Sequence, residues 1–125
     1  MVGYFDDKGN PRIKITIAGR KLVSEVEAFF DTGCSGYLVL PISMAVQLGL
    51  ELIGIQPIQY ADGRISNELV FKVLVKIDDK TKAVPATLTA SSQALAGIGL
   101  FSEHSIKIDF KNKKVEILKI SEQLS

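Results

Sequence analysis

The run Phe29-Phe30-Asp31-Thr32-Gly33-Cys34-Ser35-Gly36 constrains this chain more than any other stretch. Apolar, strand-forming residues lead directly into a carboxylate, and the carboxylate opens a turn of glycines and small hydroxyls. A carboxylate at the end of a buried strand is costly unless something uses it. Gly33 and Gly36 permit backbone angles and close approaches that a Cβ would forbid. Thr32 and Ser35 carry hydroxyls short enough to bond the backbone or the carboxylate one or two residues away. Two readings of the turn fit these residues. Either Asp31 caps backbone N–H groups in a plain strand-to-strand turn, or it performs chemistry there.

The rest of the chain reads as short strands separated by turn signals. Asp7-Lys8-Gly9-Asn10-Pro11 marks a turn. Arg12 to Ile17 alternates polar and apolar residues, the period of a half-buried strand. Ala18-Gly19-Arg20-Lys21 reads as a hairpin turn, and Leu22 to Phe30 is the strand that delivers Asp31. Tyr37 to Pro41 is a short apolar strand. Ile42 to Gly49 is the one convincing helix, with Met44 or Ala45 and Leu48 on one face and Gly49 as its stop. Gly54–Tyr60 and Ser66–Ile77 flank Ala61-Asp62-Gly63-Arg64, and an Asp-Gly between two strand-like runs is a strong hairpin signal. Ala83–Thr89 follows the polar turn Asp78–Lys82. The segment Leu95-Ala96-Gly97-Ile98-Gly99-Leu100-Phe101 is apolar and glycine-punctuated. Ser105–Phe110 and Val115–Leu118 alternate about the turn Lys111–Lys114. Many short strands with a single helix predict an all-β barrel or sandwich.

Composition narrows the classes of function. A chain of 125 residues matches one domain, residues 1–125, since domains most often hold about 100–150 residues. The 15 basic and 14 acidic residues leave a net charge of +1, which recruits neither nucleic acid nor an anionic membrane. Lys107, Lys111, Lys113 and Lys114 read as a solvated hairpin. Cys34 is the single cysteine, so no internal disulfide forms. The first residues lack a basic segment followed by an apolar one, so no signal peptide is expected. No apolar run approaches the roughly 20 residues of a membrane span. A soluble, cytoplasmic protein is the expectation.

Three features stand in one order: the strand into Asp31-Thr32-Gly33-Cys34-Ser35, the long hairpin with Ala61-Asp62-Gly63-Arg64 at its tip, and Leu95–Phe101. This set, over roughly residues 11–118, resembles the retropepsin-like family of single-domain aspartic proteases. The resemblance implies a small closed β-barrel with one short helix. It implies Asp31-Thr32-Gly33 as the catalytic turn and Ser35 as the serine beside it. It also implies Ala61, Asp62 and Gly63 as the tip of a flap over the substrate, and Gly97 as the glycine of a segment threaded beside the catalytic turn. Two positions depart from the family: Gly99 stands where Asp or Asn is frequent, and Ala96 where a larger aliphatic residue is usual. Cys34 occupies a position where Ala is common.

Peptide hydrolysis of this kind uses two carboxylates that share a proton and hold one water, with no metal or organic cofactor. The chain has one Asp-Thr-Gly, and none of Asp6, Asp7, Asp62, Asp78, Asp79 or Asp109 follows an apolar strand into such a turn. The second carboxylate must therefore come from another copy of Asp31, which a two-fold homodimer supplies at its axis. The resemblance thus implies an aspartic-type endopeptidase that is an obligate homodimer acting on peptide or protein. Thr32 would bond across the axis and Ser35 would orient the carboxylate; each hydroxyl has the alternative of satisfying its own turn. Ile117, Leu118 and Ile120 either pair with their dimer mates or cover the chain's own barrel.

A Cys34 nucleophile lacks a plausible base, since the single histidine, His104, falls in the polar run Ser102-Glu103-His104-Ser105. One His and one Cys do not make a zinc site. Asp6-Asp7 and Asp78-Asp79 read as solvated turn charges. The rival of a different class is a barrel of the same fold that binds peptide or a protein partner without cutting it.

Overall fold

The computed structural model describes residues 2–120, so the domain read over 1–125 extends past the described residues at both ends. In chain order the elements are β1 (Val2–Phe5), β2 (Pro11–Ala18), β3 (Val23–Phe30), β4 (Leu38–Pro41), α1 (Ile42–Leu48), β5 (Glu51–Gln59), β6 (Ile65–Ile77), β7 (Lys80–Thr89), β8 (Leu95–Ala96), a 3-10 helix (Ile98–Phe101), β9 (His104–Asp109) and β10 (Lys114–Lys119).

Alternation along the strands builds the barrel wall. Ile13, Ile15 and Ile17 of β2 are buried, as are Val26, Ala28 and Phe30 of β3, while the residues between them stay at least partly exposed. Val73, Val75 and Ile77 of β6 and Val84 and Ala86 of β7 complete the same core, with Leu38 and Leu40 from β4. Each fully buried Leu or Ile contributes about 2 kcal/mol of transfer free energy. The sheet runs β1-β2-β3-β8-β4-β7-β6-β5, and an extra pairing of β2 with β6 closes it. Six strands, β2, β3, β8, β4, β7 and β6, therefore form a closed ring, which removes the exposed edges an open sheet would carry. The fold is all-β with one short helix, as the alternation predicts.

Closure leaves β5 on the outside. It pairs with the first part of β6, from Glu51↔Lys72 to Gln59↔Ile65, with a bulge between Leu52 and Gly54. Pro57 is tolerated there because β5 is an edge strand. The second part of β6 pairs with β2 and β7, so one strand serves both the barrel and a projecting hairpin.

Two local features differ from the sequence reading. Residues 2–5 form an edge strand against β2, although turn residues dominate that region. Leu95–Phe101 divides into the two-residue β8 and the 3-10 helix. The helix α1 ends as expected: Gly49 sits at φ 70°, and its N–H reaches the carbonyls of Ala45 and Val46. The β9–β10 hairpin is a separate two-stranded sheet. It packs over β1, where a Cβ on Gly3 would overlap Val115 and Phe5 meets Phe110 edge-on at 5.6 Å.

Asp6 is not a free solvated charge. Its Oδ1 accepts the N–H groups of Lys8 and Asn10, both at 2.9 Å, and its Oδ2 accepts Arg12 Nε at 2.8 Å. The bond from the Asn10 backbone and then the Arg12 guanidinium hold its carboxyl down from 3.8 to about 2. A carboxyl held below its ordinary value adds stability that is complete above that value and is lost as pH falls through the lowered one. The midpoint of urea unfolding is therefore expected to drop as pH falls from 3.8 towards about 2, and to drop less steeply in Asp6→Asn. Identical acid profiles for the two proteins would remove Asp6 as the cause.

Candidate active site: the Asp31 turn and the hairpin

The last apolar residue of β3, Phe30, is buried, and the next residue, Asp31, is half-buried at the barrel's end. The turn then reverses within itself. Cys34 N–H donates to the Asp31 carbonyl at 3.1 Å, and Gly33 N–H donates to Asp31 Oδ1 at 2.9 Å. The second contact is an Asx-type bond, in which the side chain mimics a backbone turn. Thr32, Gly33 and Ser35 are exposed, and neither hydroxyl makes a hydrogen bond among the described residues. Cys34 is partly buried. Among the described residues no cation forms an ion pair with Asp31.

What fixes the turn comes from far along the chain. β8 lies between β3, which enters the turn, and β4, which leaves it; it is parallel to the first and antiparallel to the second. On the β3 side, Phe29 N–H donates to Ala94 O at 2.9 Å and Asp31 N–H to Ala96 O at 3.0 Å. On the other side, Gly97, Ile98 and Gly99 donate to the carbonyls of Tyr37, Cys34 and Gly36 at 2.8, 3.0 and 3.0 Å. Five backbone bonds thus hold the two ends of the turn and its middle. Gly97 is required for space: a Cβ there would overlap the Gly36 carbonyl and lie 2.9 Å from Cys34 O. Gly99 stands on the same carbonyl, with a Cβ falling 2.9 Å from Gly36 O. Gly36 and Tyr37 therefore belong to the site through their carbonyls, although their side chains carry no chemical signal in the sequence.

The hairpin tip is built separately. Tyr60 N–H donates to Arg64 O at 2.8 Å, Gly63 N–H to Tyr60 O at 2.9 Å, and Arg64 N–H to Asp62 Oδ1 at 3.0 Å. The Arg64 guanidinium lies over the Tyr60 ring at 5.1 Å, and Tyr60 Oη donates to Glu68 at 2.7 Å, a bond that pushes the phenol's pKa up. Ala61, Asp62 and Gly63 are exposed and bond only within their own turn. The structure thus brings Asp31, Thr32, Gly33, Ser35 and Gly97 into one cluster and places Ala61, Asp62 and Gly63 in a second.

An apolar surface lies on the hairpin. Ile55 stands opposite Leu69, and Ile65 lies on the same side of β6, four residues away. All three are largely exposed. By strand alternation this side of β6 is the one that carries Val73 and Val75 into the core, so the exposed apolar face is a continuation of the barrel's inner surface. Gly63, at φ 86°, has nothing within 4 Å of an added Cβ. Gly63→Ala is expected to cost only the backbone strain, about 1 kcal/mol, read as a small shift in the urea midpoint; a loss several times larger would mean the tip packs against something else.

Among the described residues no group of three or more His, Cys, Asp or Glu side chains gathers to hold a metal ion, and no helix is long and apolar enough to cross a membrane.

No protein-family model and no curated protein sequence matches the chain. Among solved structures, it is similar to a retropepsin-like aspartic protease from Rickettsia conorii, with a TM-score of 0.68 and 18% sequence identity, over 96% of this chain and 89% of that one. The likeness shows a retropepsin-like fold.

Proposed function

We propose that the chain is an aspartic endopeptidase whose active form is a homodimer, with one Asp31 from each copy. The observation that carries this reading is the Asp31 turn itself, a half-exposed carboxylate stitched in place by five backbone bonds from residues threaded between its two flanking strands. The retropepsin-like fold adds support at the level of the fold.

Chemically, two such carboxylates about 3 Å apart cannot both ionise easily, so the pair titrates as a unit and holds one proton; aspartic proteases are the standard illustration of this behaviour. The ionised carboxylate takes a proton from the water held between the two. The protonated one polarises the scissile carbonyl and later helps protonate the leaving amine. The Gly33 N–H bond to Oδ1 fixes the carboxylate's rotation. The exposed face of Ile55, Ile65 and Leu69 would close over the peptide and exclude water, favouring apolar side chains on either side of the cut.

The test is digestion of an unstructured protein across the mildly acidic range, with mass measured by light scattering on the same samples. Cleavage that follows the dimer and vanishes on dilution to monomer is the expected result. A stable monomer or dimer that binds peptides but cuts none at any pH would replace this reading with the non-catalytic binding barrel.

A further inference from the structure

His104 lies in a run of polar residues, yet its ring is packed inward. Its side chain is 4% exposed, and its Nε2 meets Asp78 Oδ2 at 2.5 Å, joining the start of β9 to the β6–β7 turn. Its Nδ1 is buried with no hydrogen-bond partner among the described residues. An apolar ring would pack here without that unpartnered nitrogen, whose burial carries a cost that simple filling of space would not require. The imidazole edge meets Phe101 at 6.0 Å and 89°, and Phe101 meets Phe30 at 5.5 Å and 75°. Phe30 is the residue before Asp31. Phe101 also closes the 3-10 helix whose first residues, Ile98 and Gly99, donate to the carbonyls of Cys34 and Gly36. Side-chain packing and backbone bonding thus lead from the buried imidazole and its half-exposed partner Asp78 to the two ends of one turn.

We propose that Asp78 and His104 are positioning residues for the Asp31 turn, acting through Phe101 on Phe30 and through the 3-10 helix on the carbonyls of Cys34 and Gly36. Their catalytic purpose rests on the peptidase reading above. The bond from His104 holds the Asp78 carboxyl below the usual carboxylate range, so the pair keeps a charged partner. The neighbouring charges are engaged elsewhere or lie across the ladder: Glu103 pairs with Lys82 at 4.0 Å, and Lys119 stands opposite His104 in β10. Asp79 follows Asp78 in the same turn.

Asp78 sits at φ 49°, which glycine adopts freely, so Asp78→Gly removes the carboxylate without adding backbone strain. Residue-resolved hydrogen exchange in the native protein reads the result. The amides of Ile98 and Gly99 are expected to exchange about tenfold faster than in the wild type, while those of Ile15 and Val75 keep their rates. His104→Ala should give the same pattern. Asp78→Asn, close in size and tolerant of the same backbone angle, serves where either variant fails to fold. Unchanged rates at Ile98 and Gly99, or one common factor at all four amides, would overturn the proposal, the second because it signals only general loss of stability. Where peptide cleavage is measurable, kcat should fall with KM unchanged. A wild type that cleaves nothing sinks the peptidase reading, and the exchange rates still decide the positioning one.

Discussion

Asp31→Asn is expected to lower peptide cleavage by about a thousandfold while leaving the fold intact. The two side chains have nearly the same size, and the Asn carbonyl oxygen still accepts the Gly33 N–H now bound to Oδ1. Asp31 is half-exposed and forms no ion pair among the described residues, so its neutral replacement should change stability by no more than about 0.5 kcal/mol. Chemistry is different. Without an ionised carboxylate the pair has no base for the water, and the reaction has no second route. If each active unit needs two carboxylates, as the proposed homodimer does, a wild-type copy paired with an Asp31→Asn copy is also inactive. Adding an excess of the variant to the wild type, with time for exchange, should therefore suppress the wild-type rate. Initial rates and thermal melts on the same preparations check both halves. Cleavage by the variant at the wild-type rate would remove Asp31 from the mechanism.

Gly97→Ala should be the most damaging single-methyl change in the site, costing about 3 kcal/mol. The backbone at Gly97 is ordinary, with φ −87° and ψ 169°, so alanine meets no conformational penalty there. The penalty is spatial. The new Cβ overlaps the Gly36 carbonyl and crowds Cys34 O, and both obstacles are backbone atoms with no rotamer to escape into. Relief requires β8 to move away from the turn, which stretches the bonds from Gly97, Ile98 and Gly99. Urea denaturation measures the stability change. Any folded fraction should also lose cleavage, because the turn is no longer held. A stable, fully active Gly97→Ala protein would show that the clamp is dispensable. The contrast with Gly63→Ala separates two uses of glycine, one for space and one for angle.

Much of the fold was legible because strand alternation is a local property. Ile13, Ile15 and Ile17 mark the inner face of β2 without knowledge of its neighbours, and Asp62-Gly63 marks the hairpin tip. β1 was hidden because four residues beside a strong turn signal carry too little pattern. β8 was hidden for a better reason: two residues have no period, and Leu95–Ala96 becomes a strand only by lying between β3 and β4. The Asp31 turn stood out through its residue types. Its supports did not, because Gly36 and Tyr37 contribute only carbonyls, which every residue has. His104 was read as part of a polar run and Asp78 as a solvated turn charge, yet they meet across 26 residues of chain and His104 is buried. No local pattern encodes such a meeting. The small residues at 96, 97 and 99 were the one available hint, since close backbone approach leaves a need for missing side chains as its trace.

The threading of β8 through the Asp31 turn also sets a clock. A ribosome delivers Asp31 early and Ala94 to Gly99 only after about half the chain's length more has been made, a delay of several seconds at ordinary synthesis rates. During that interval the carboxylate exists but the turn that would aim it does not. On the proposed homodimer reading, two growing chains on one messenger would therefore meet without becoming active, since neither yet holds the residues that complete its half. Competence arrives late, with the segment that closes the barrel, and a truncation ahead of Ala94 should leave a chain that carries the acid and never assembles the site.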